Sequence, residues 1–210
     1  MRVISHRGYW KRAEEKNTIT AFERSFRLGF GTETDLRDLD GEVVISHDMP
    51  TKKDSLLSFD DFLSIFVAYD RNLPLALNIK SDGLQEKVKA SLTKYQIENY
   101  FLFDMALPDM LVSINSELIC FTRQSEYEKE PALYKGALGV WMDEFTENWI
   151  TEAQIETHIN NRKKVYIVSP ELHKREHLSR WQDYRLYNSE ITEHCYLCSD
   201  LPEEALAFFR

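Results

Sequence analysis

Short apolar runs alternate with stretches in which hydrophobic residues recur every three or four positions, from one end of the chain to the other. The runs at 2–6, 31–37, 74–79, 100–104, 117–122, 137–142, 164–168 and 195–199 predict strands. The spacing between them predicts helices. Over 18–28, Ile19, Phe22 and Phe26 share one face, with Asn17 placed to cap the start and Gly29 to end it. Over 58–69, Phe59, Phe62, Leu63 and Phe66 do the same, and 84–94, 108–114, 150–160 and 202–209 follow suit. The segment 176–187 rests mainly on Trp181 and Tyr184. Eight strands, mostly followed by helices, predict an α/β chain closing as a small, single-domain (β/α)8 TIM barrel over 1–210.

One departure from the βα rhythm follows the second strand. The chain turns at Asp40-Gly41 and returns through Val43-Val44-Ile45, which predicts a β-hairpin extension. Its register decides where His47 points. A three-residue loop over 40–42 pairs Leu39 with Val43 and Asp35 with His47; a two-residue turn pairs Thr34 with His47. The expectation is the longer loop, with Gly41 left-handed.

Composition narrows the function classes. A net charge of −9 argues against a general nucleic-acid binder, because such proteins carry basic faces. No run of eighteen apolar residues is present, so no membrane span is expected. A strand-like start reaching His6-Arg7 does not read as a secretory leader, which points to the cytoplasm. Cys120, Cys195 and Cys198 form no disulfide framework, and Cys195-Tyr-Leu-Cys198 lies in a strand-like run, so buried thiols are expected. The runs Lys52-Lys53 and Arg162-Lys163-Lys164 read as solvated charges, and His158, His177 and His194 as surface residues.

In barrels of this kind, functional groups gather at the C-terminal strand ends. His6-Arg7 closes the first predicted strand, Glu33 and Asp35 lie on the second, and Asn78 and Lys80 end the third. Glu33 and Asp35 are two apart, so on an extended strand both face one way and can share a hard cation such as Mg²⁺ or Ca²⁺. Asp104, Arg123, Trp141, Asp143, Glu171, His173 and Asp200 make the other strand ends polar. Of these, Arg123, Trp141 and Asp143 are candidate contacts for a polyhydroxylated headgroup.

The ordered pattern His6-Arg7-Gly8, Asn17-Thr18-Ile19-Thr20-Ala21-Phe22, then Gly29 to Glu33-Thr34-Asp35 and Val44 to His47-Asp48 resembles the N-terminal signature of the glycerophosphodiester phosphodiesterase family. The similarity is dense over residues 3–48. It resumes at Leu77-Asn78-Ile79-Lys80, where the family usually has Glu-x-Lys, and at Ser199-Asp200-Leu201-Pro202. The resemblance implies a metal-dependent phosphodiester hydrolase acting on a small-molecule glycerophosphodiester or related polar-headgroup diester. It further implies His6 and His47 as the acid–base pair, Arg7 and Lys80 on the phosphate, and Glu33, Asp35 and Asn78 around the divalent ion. Asn78 stands where the family has a carboxylate, and an amide brings no charge to a cation; Asp82 is placed to compensate. Only about thirty residues separate His47 from Asn78, where family members often carry a longer insertion, so a more open mouth is expected. The alternative is a catalytically weak barrel that binds phosphorylated ligands without turnover.

Overall fold

A computed structural model describes residues 1–51 and 56–210, so Lys52-Lys53 lie outside the described residues. In chain order the elements are β1 (Arg2–His6), a 3-10 turn (Ala13–Glu15), α1 (Ile19–Arg27), β2 (Gly31–Leu39), β3 (Glu42–Ile45), α2 (Phe59–Tyr69), β4 (Leu75–Ile79), α3 (Gln85–Lys94) and β5 (Tyr100–Phe103). They continue with α4 (Leu107–Asn115), β6 (Phe121–Ser125), β7 (Gly139–Asp143), α5 (Glu152–Asn160), β8 (Lys164–Val168), a second 3-10 turn (Pro170–His173), α6 (Leu178–Leu186), α7 (Ser189–Thr192), β9 (Cys195–Ser199) and α8 (Pro202–Phe209). The architecture is the expected (β/α)8 class: eight barrel strands, mostly followed by helices, and β3 attached to β2 as the return of a hairpin.

The chain divides into two compact units. In Ser5–Ile119, the parallel strands β2, β4 and β5 lie side by side. Helices α1 and α2 cover them through interlocked phenylalanines. Phe22 meets Phe62 edge-on at 4.7 Å, and Phe26 meets Phe66 at 5.1 Å. All four rings are buried, which explains why α1 and α2 carry the periodicity most visible in the sequence.

The second unit holds Met1–Ile4 and Cys120–Arg210, with β6, β7, β8 and β9 in parallel succession. Tyr166 stacks on Tyr196 at 4.5 Å and takes the edge of Phe121 at 5.4 Å. Below α6, buried Arg180 makes a two-pronged pair with buried Glu144 (2.6 and 2.8 Å), to which Tyr184 also donates. Such a pair is tolerated inside because each oxygen is hydrogen-bonded.

Several expectations need correction. The strand expected over 117–122 runs instead over Phe121–Ser125. Glu117 is left-handed (φ 61°) and closes α4, with Leu118 N–H bonded to Ser113 O, so the apolar run starts as a helix end. α7 is a single turn, too short to show periodicity. The hairpin has the shorter turn: Leu39 pairs with Glu42, and Asp40 and Gly41 are both left-handed (φ 51° and 87°). Two consecutive left-handed residues suit the twist of a two-residue hairpin, and Asp-Gly supplies them. His158 is buried rather than on the surface, held between Gln124 Oε1 and Tyr134 OH at 2.8 Å each. His177 is half-buried against Trp181 at 4.4 Å. His194 is exposed, and the three cysteines are buried thiols, as expected.

Candidate active site

Every residue expected at the phosphate, the metal and the acid–base steps falls in the Ser5–Ile119 unit. Register explains how they meet. β2 and β4 pair in parallel with Asp35 directly beside Asn78, and Glu33 sits two residues back on the same face of β2. All three side chains are buried, with exposures of 2%, 0% and 7% for Glu33, Asp35 and Asn78.

Their hydrogen bonding is incomplete. Glu33 Oε2, Asp35 Oδ1 and Asn78 Oδ1 are all buried without a hydrogen-bond partner. Each such orphan costs on the order of 1–3 kcal/mol unless something else satisfies it. Burial, followed by the charge of Asp35, pushes the Glu33 carboxyl above the usual carboxylate range. Two carboxylates and an amide on neighbouring strands are thus left with one unsatisfied hard oxygen each. A divalent ion that prefers oxygen ligands fits that donor set. Among the described residues no group of three His, Cys, Asp or Glu side chains is placed to hold a metal ion; here the third oxygen is that of the Asn78 amide.

Two cations flank the cluster. Arg7 Nε lies 2.8 Å from Asp35 Oδ2, off the N–H axis, so the contact is Coulombic. Lys80 Nζ stands 3.6 Å from Asp35 Oδ1 and 3.7 Å from Asp104 Oδ2. The backbone that delivers Arg7 is unusual. Arg7 is left-handed (φ 56°), as is Gly8 (φ 77°), and α1 packs so closely that a Cβ at Gly8 would meet Ala21 atoms at 2.8 Å. The turn is pinned by Arg7 N–H to Glu33 O and Gly8 N–H to Thr32 Oγ1, both 2.9 Å. Left-handed non-glycine residues are costly and concentrate at functional sites.

Asn17 contributes in a way the helix pattern does not reveal. Thr18, not Asn17, is the first flanking residue of α1. Asn17 is itself left-handed (φ 60°); its amide donates to Asp35 Oδ2 (2.9 Å) and its carbonyl oxygen accepts from Thr34 Oγ1 (2.9 Å). It therefore orients Asp35, and its signal in the sequence is its place in the Asn-Thr motif rather than any periodicity.

The two histidines differ in setting. His6 is largely buried at the end of β1, with Nε2 3.8 Å from Glu33 Oε2. His47 follows the hairpin. Its ladder ends as Ser46 N–H bonds Asp35 O (3.0 Å), so His47 is not opposite Asp35 as expected. The chain bends there, Arg37 Nε grips His47 O at 3.0 Å, and the imidazole, 46% exposed, takes Asp48 Oδ1 at 2.8 Å. His47 and Arg7 nonetheless line one cleft of ≈ 580 Å³, with Lys16, Ile19, Leu56 and Leu57 among its walls. Asp82, placed by sequence to compensate for Asn78, has no described contact with the cluster.

The chain has the fold of the glycerophosphodiester phosphodiesterases. It matches a Galdieria sulphuraria protein assigned to that activity over 99% of this chain and 97% of that one, with a TM-score of 0.78 at 18% identity. The glycerophosphodiester phosphodiesterase of Agrobacterium tumefaciens C58 matches over 100% and 99% (TM-score 0.69, 15% identity). An Oleispira antarctica phosphodiesterase, solved with its product sn-glycerol-3-phosphate, matches over 99% and 96% (TM-score 0.68, 16% identity). No family model and no curated protein sequence matches the chain.

In the Cys120–Arg210 unit, the expected headgroup contacts are engaged with neighbours. Arg123 pairs with Glu128, and buried Trp141 stacks on Tyr166 at 6.4 Å. Asp143 takes His173 Nε2 at 2.6 Å, which raises the His173 pKa, and Trp149 donates to the Asp143 carbonyl. Glu171 accepts from Ser199 Oγ and from Asp200 N–H, bracing the end of β9. No helix among the described residues is long and apolar enough to cross a membrane.

Proposed function

We propose that the protein is a metal-dependent phosphodiester hydrolase acting on a glycerophosphodiester-like substrate or another small diester with a polar headgroup. The single observation that carries this reading is the trio of buried, unpartnered oxygens on Glu33, Asp35 and Asn78. Those three residues would hold Mg²⁺ or Ca²⁺, and the ion would neutralise charge on the phosphoryl oxygens when bound. The shared fold with phosphodiesterases, one of them holding a glycerol phosphate product, supports the same reaction class.

Arg7 and Lys80 supply the remaining positive field. Both stand beside Asp35, and both would bind the phosphate oxygens and stabilise their growing charge. His6 and His47 act as the acid–base pair. One takes the proton from the attacking hydroxyl while the other delivers a proton to the departing oxygen, a division of labour suited to imidazole near neutral pH. The attacker is water or a neighbouring substrate hydroxyl; the same residues serve either route. Asp48, bonded to His47 Nδ1, fixes the orientation of that ring.

The test is hydrolysis of generic and glycerol-based phosphodiesters with Mg²⁺, Ca²⁺ or Mn²⁺ and with chelator. His6→Ala and His47→Ala should each lower kcat about 10²–10⁴-fold with the far-UV spectrum unchanged. Near-normal rates in both variants would reject the acid–base assignment. Asn78 favours a second reading, a binder of phosphorylated ligands, because the amide leaves the cation site one negative charge poorer. Saturable binding across the panel without metal-dependent turnover would select it.

A further inference from the structure

We infer that Asp104 is a positioning residue for Lys80, holding the ammonium in place to receive a phosphate rather than letting it collapse onto Asp35. The inference rests on the reading of Arg7 and Lys80 as phosphate ligands.

Lys80 begins where β4 ends. Its N–H continues the sheet by bonding Leu36 O at 2.9 Å, so the backbone is fixed, yet four rotatable side-chain bonds remain beyond it. The nearest strong attraction is buried Asp35, whose Oδ1 lacks a hydrogen-bond partner. An unrestrained ammonium would close to ordinary hydrogen-bond distance there. Instead Nζ stands 3.6 Å from Asp35 Oδ1 and 3.7 Å from Asp104 Oδ2, nearly equidistant between two carboxylates. Opposed pulls of similar size suspend the charge between them, leaving its N–H donors uncommitted to a short contact with either.

The backbone at Asp104 supports a role other than sheet building. β4 and β5 pair with Asn78 beside Phe103, so Asp104 is the first residue past the end of β5, one strand over from the Asn78 side chain. It is left-handed (φ 69°), a conformation that glycine adopts at far lower cost than aspartate. Arg7 and Asn17, the other left-handed non-glycine residues beside the cluster, each place a side chain on Asp35. Asp104 fits the same pattern, with strained backbone bringing a carboxylate to Lys80.

The sign of one measurement separates a positioning residue from a bystander. A negative charge that merely sits near a phosphate repels it, so removing that charge would tighten phosphate binding. A carboxylate that holds Lys80 in place has the opposite effect. Inorganic phosphate is titrated by calorimetry into the full chain with Mg²⁺ present, for wild type, Asp104→Asn, Asp104→Gly, Lys80→Ala and Lys80→Ala/Asp104→Asn. Asp104→Asn and Asp104→Gly should weaken phosphate binding by at least about threefold, and the Asn change should weaken it no further once Lys80 is gone. Asp104→Gly should melt at or above the wild-type temperature, since it relieves the left-handed strain, which separates loss of function from loss of fold. On a diester that the wild type hydrolyses, kcat should fall more than KM rises, because phosphoryl charge is greatest in the transition state. Tighter phosphate binding in Asp104→Asn, or equal losses with and without Lys80, would overturn the inference while leaving the hydrolase reading intact. A wild-type protein that binds no phosphate would overturn the phosphate site itself and this inference with it.

Discussion

Replacing Glu33 with glutamine separates two effects that act in opposite directions. Without a cation, the Glu33 carboxyl is fully buried beside Asp35, and both facts raise its pKa, so its ionised form is disfavoured in the folded chain. A carboxyl whose folded pKa lies above its unfolded value loses stability as pH rises past the unfolded value. At neutral pH, above the unfolded value, burying Glu33 therefore works against the fold because the buried carboxyl must hold a proton that the unfolded chain has shed, and Glu33→Gln should hold its melting temperature or raise it in chelator. With a divalent ion the sign reverses. An ion at one hundred times its Kd stabilises the folded chain by about 2.7 kcal/mol. For a chain of this length each kcal/mol moves the midpoint by about 2–4 °C, so the wild type should gain about 5–10 °C. Glu33→Gln should lose most of that response. The assay is thermal unfolding by circular dichroism across a Mg²⁺ and a Ca²⁺ series against chelator, at one pH and ionic strength. A wild type indifferent to both ions, or a glutamine variant that responds as strongly, would refute the reasoning.

Two further outcomes follow from the geometry. Gly8→Ala forces a Cβ to within 2.8 Å of Ala21 in a left-handed turn, and should cost about 2 kcal/mol or more in denaturant unfolding, with reduced turnover because Arg7 is the preceding residue. The Asp143 carboxylate raises the His173 pKa, so the pair contributes stability that is fully present below the unfolded histidine pKa and fades as pH climbs through the folded one. Asp143→Asn should flatten that part of the pH–stability curve by less than about 1 kcal/mol, discounted for partial exposure; an unchanged slope from pH 6 to 8 would contradict it.

Much of the fold was legible because periodicity and burial agree where packing is strongest. The phenylalanines of α1 and α2 repeat at helical spacing since they interlock with one another, and strands β1, β8 and β9 begin and end where their apolar runs do. The second half of β6, Arg123-Gln124-Ser125, is polar, so apolarity alone points to 117–122 instead, just past the end of α4. The hairpin register hinged on one residue of loop length. Asp40-Gly41 satisfies both left-handed positions of a two-residue turn, a preference that outweighs any benefit of facing His47 toward Asp35.

The candidate site was legible through motif order, and less so through its supporting contacts. Parallel register brings Asp35 beside Asn78, a consequence of how β2 and β4 align that spacing along the chain does not encode. Asn17 and Asp104 reach the cluster through left-handed backbone, for which an aspartate or asparagine offers only a weak sequence signal. His158 falls outside the strand ends, which points to the surface; what buries it are two hydrogen-bond partners that lie 24 and 34 residues away.

The most direct measurement is crystallographic: crystals soaked in Mn²⁺, with anomalous scattering recorded near the manganese edge. One peak is expected within about 2.0–2.6 Å of oxygens from Glu33, Asp35 and Asn78 together. Density for the three side chains with no anomalous peak among them at saturating Mn²⁺, or a peak held by other residues, would contradict a cation site formed by β2 and β4.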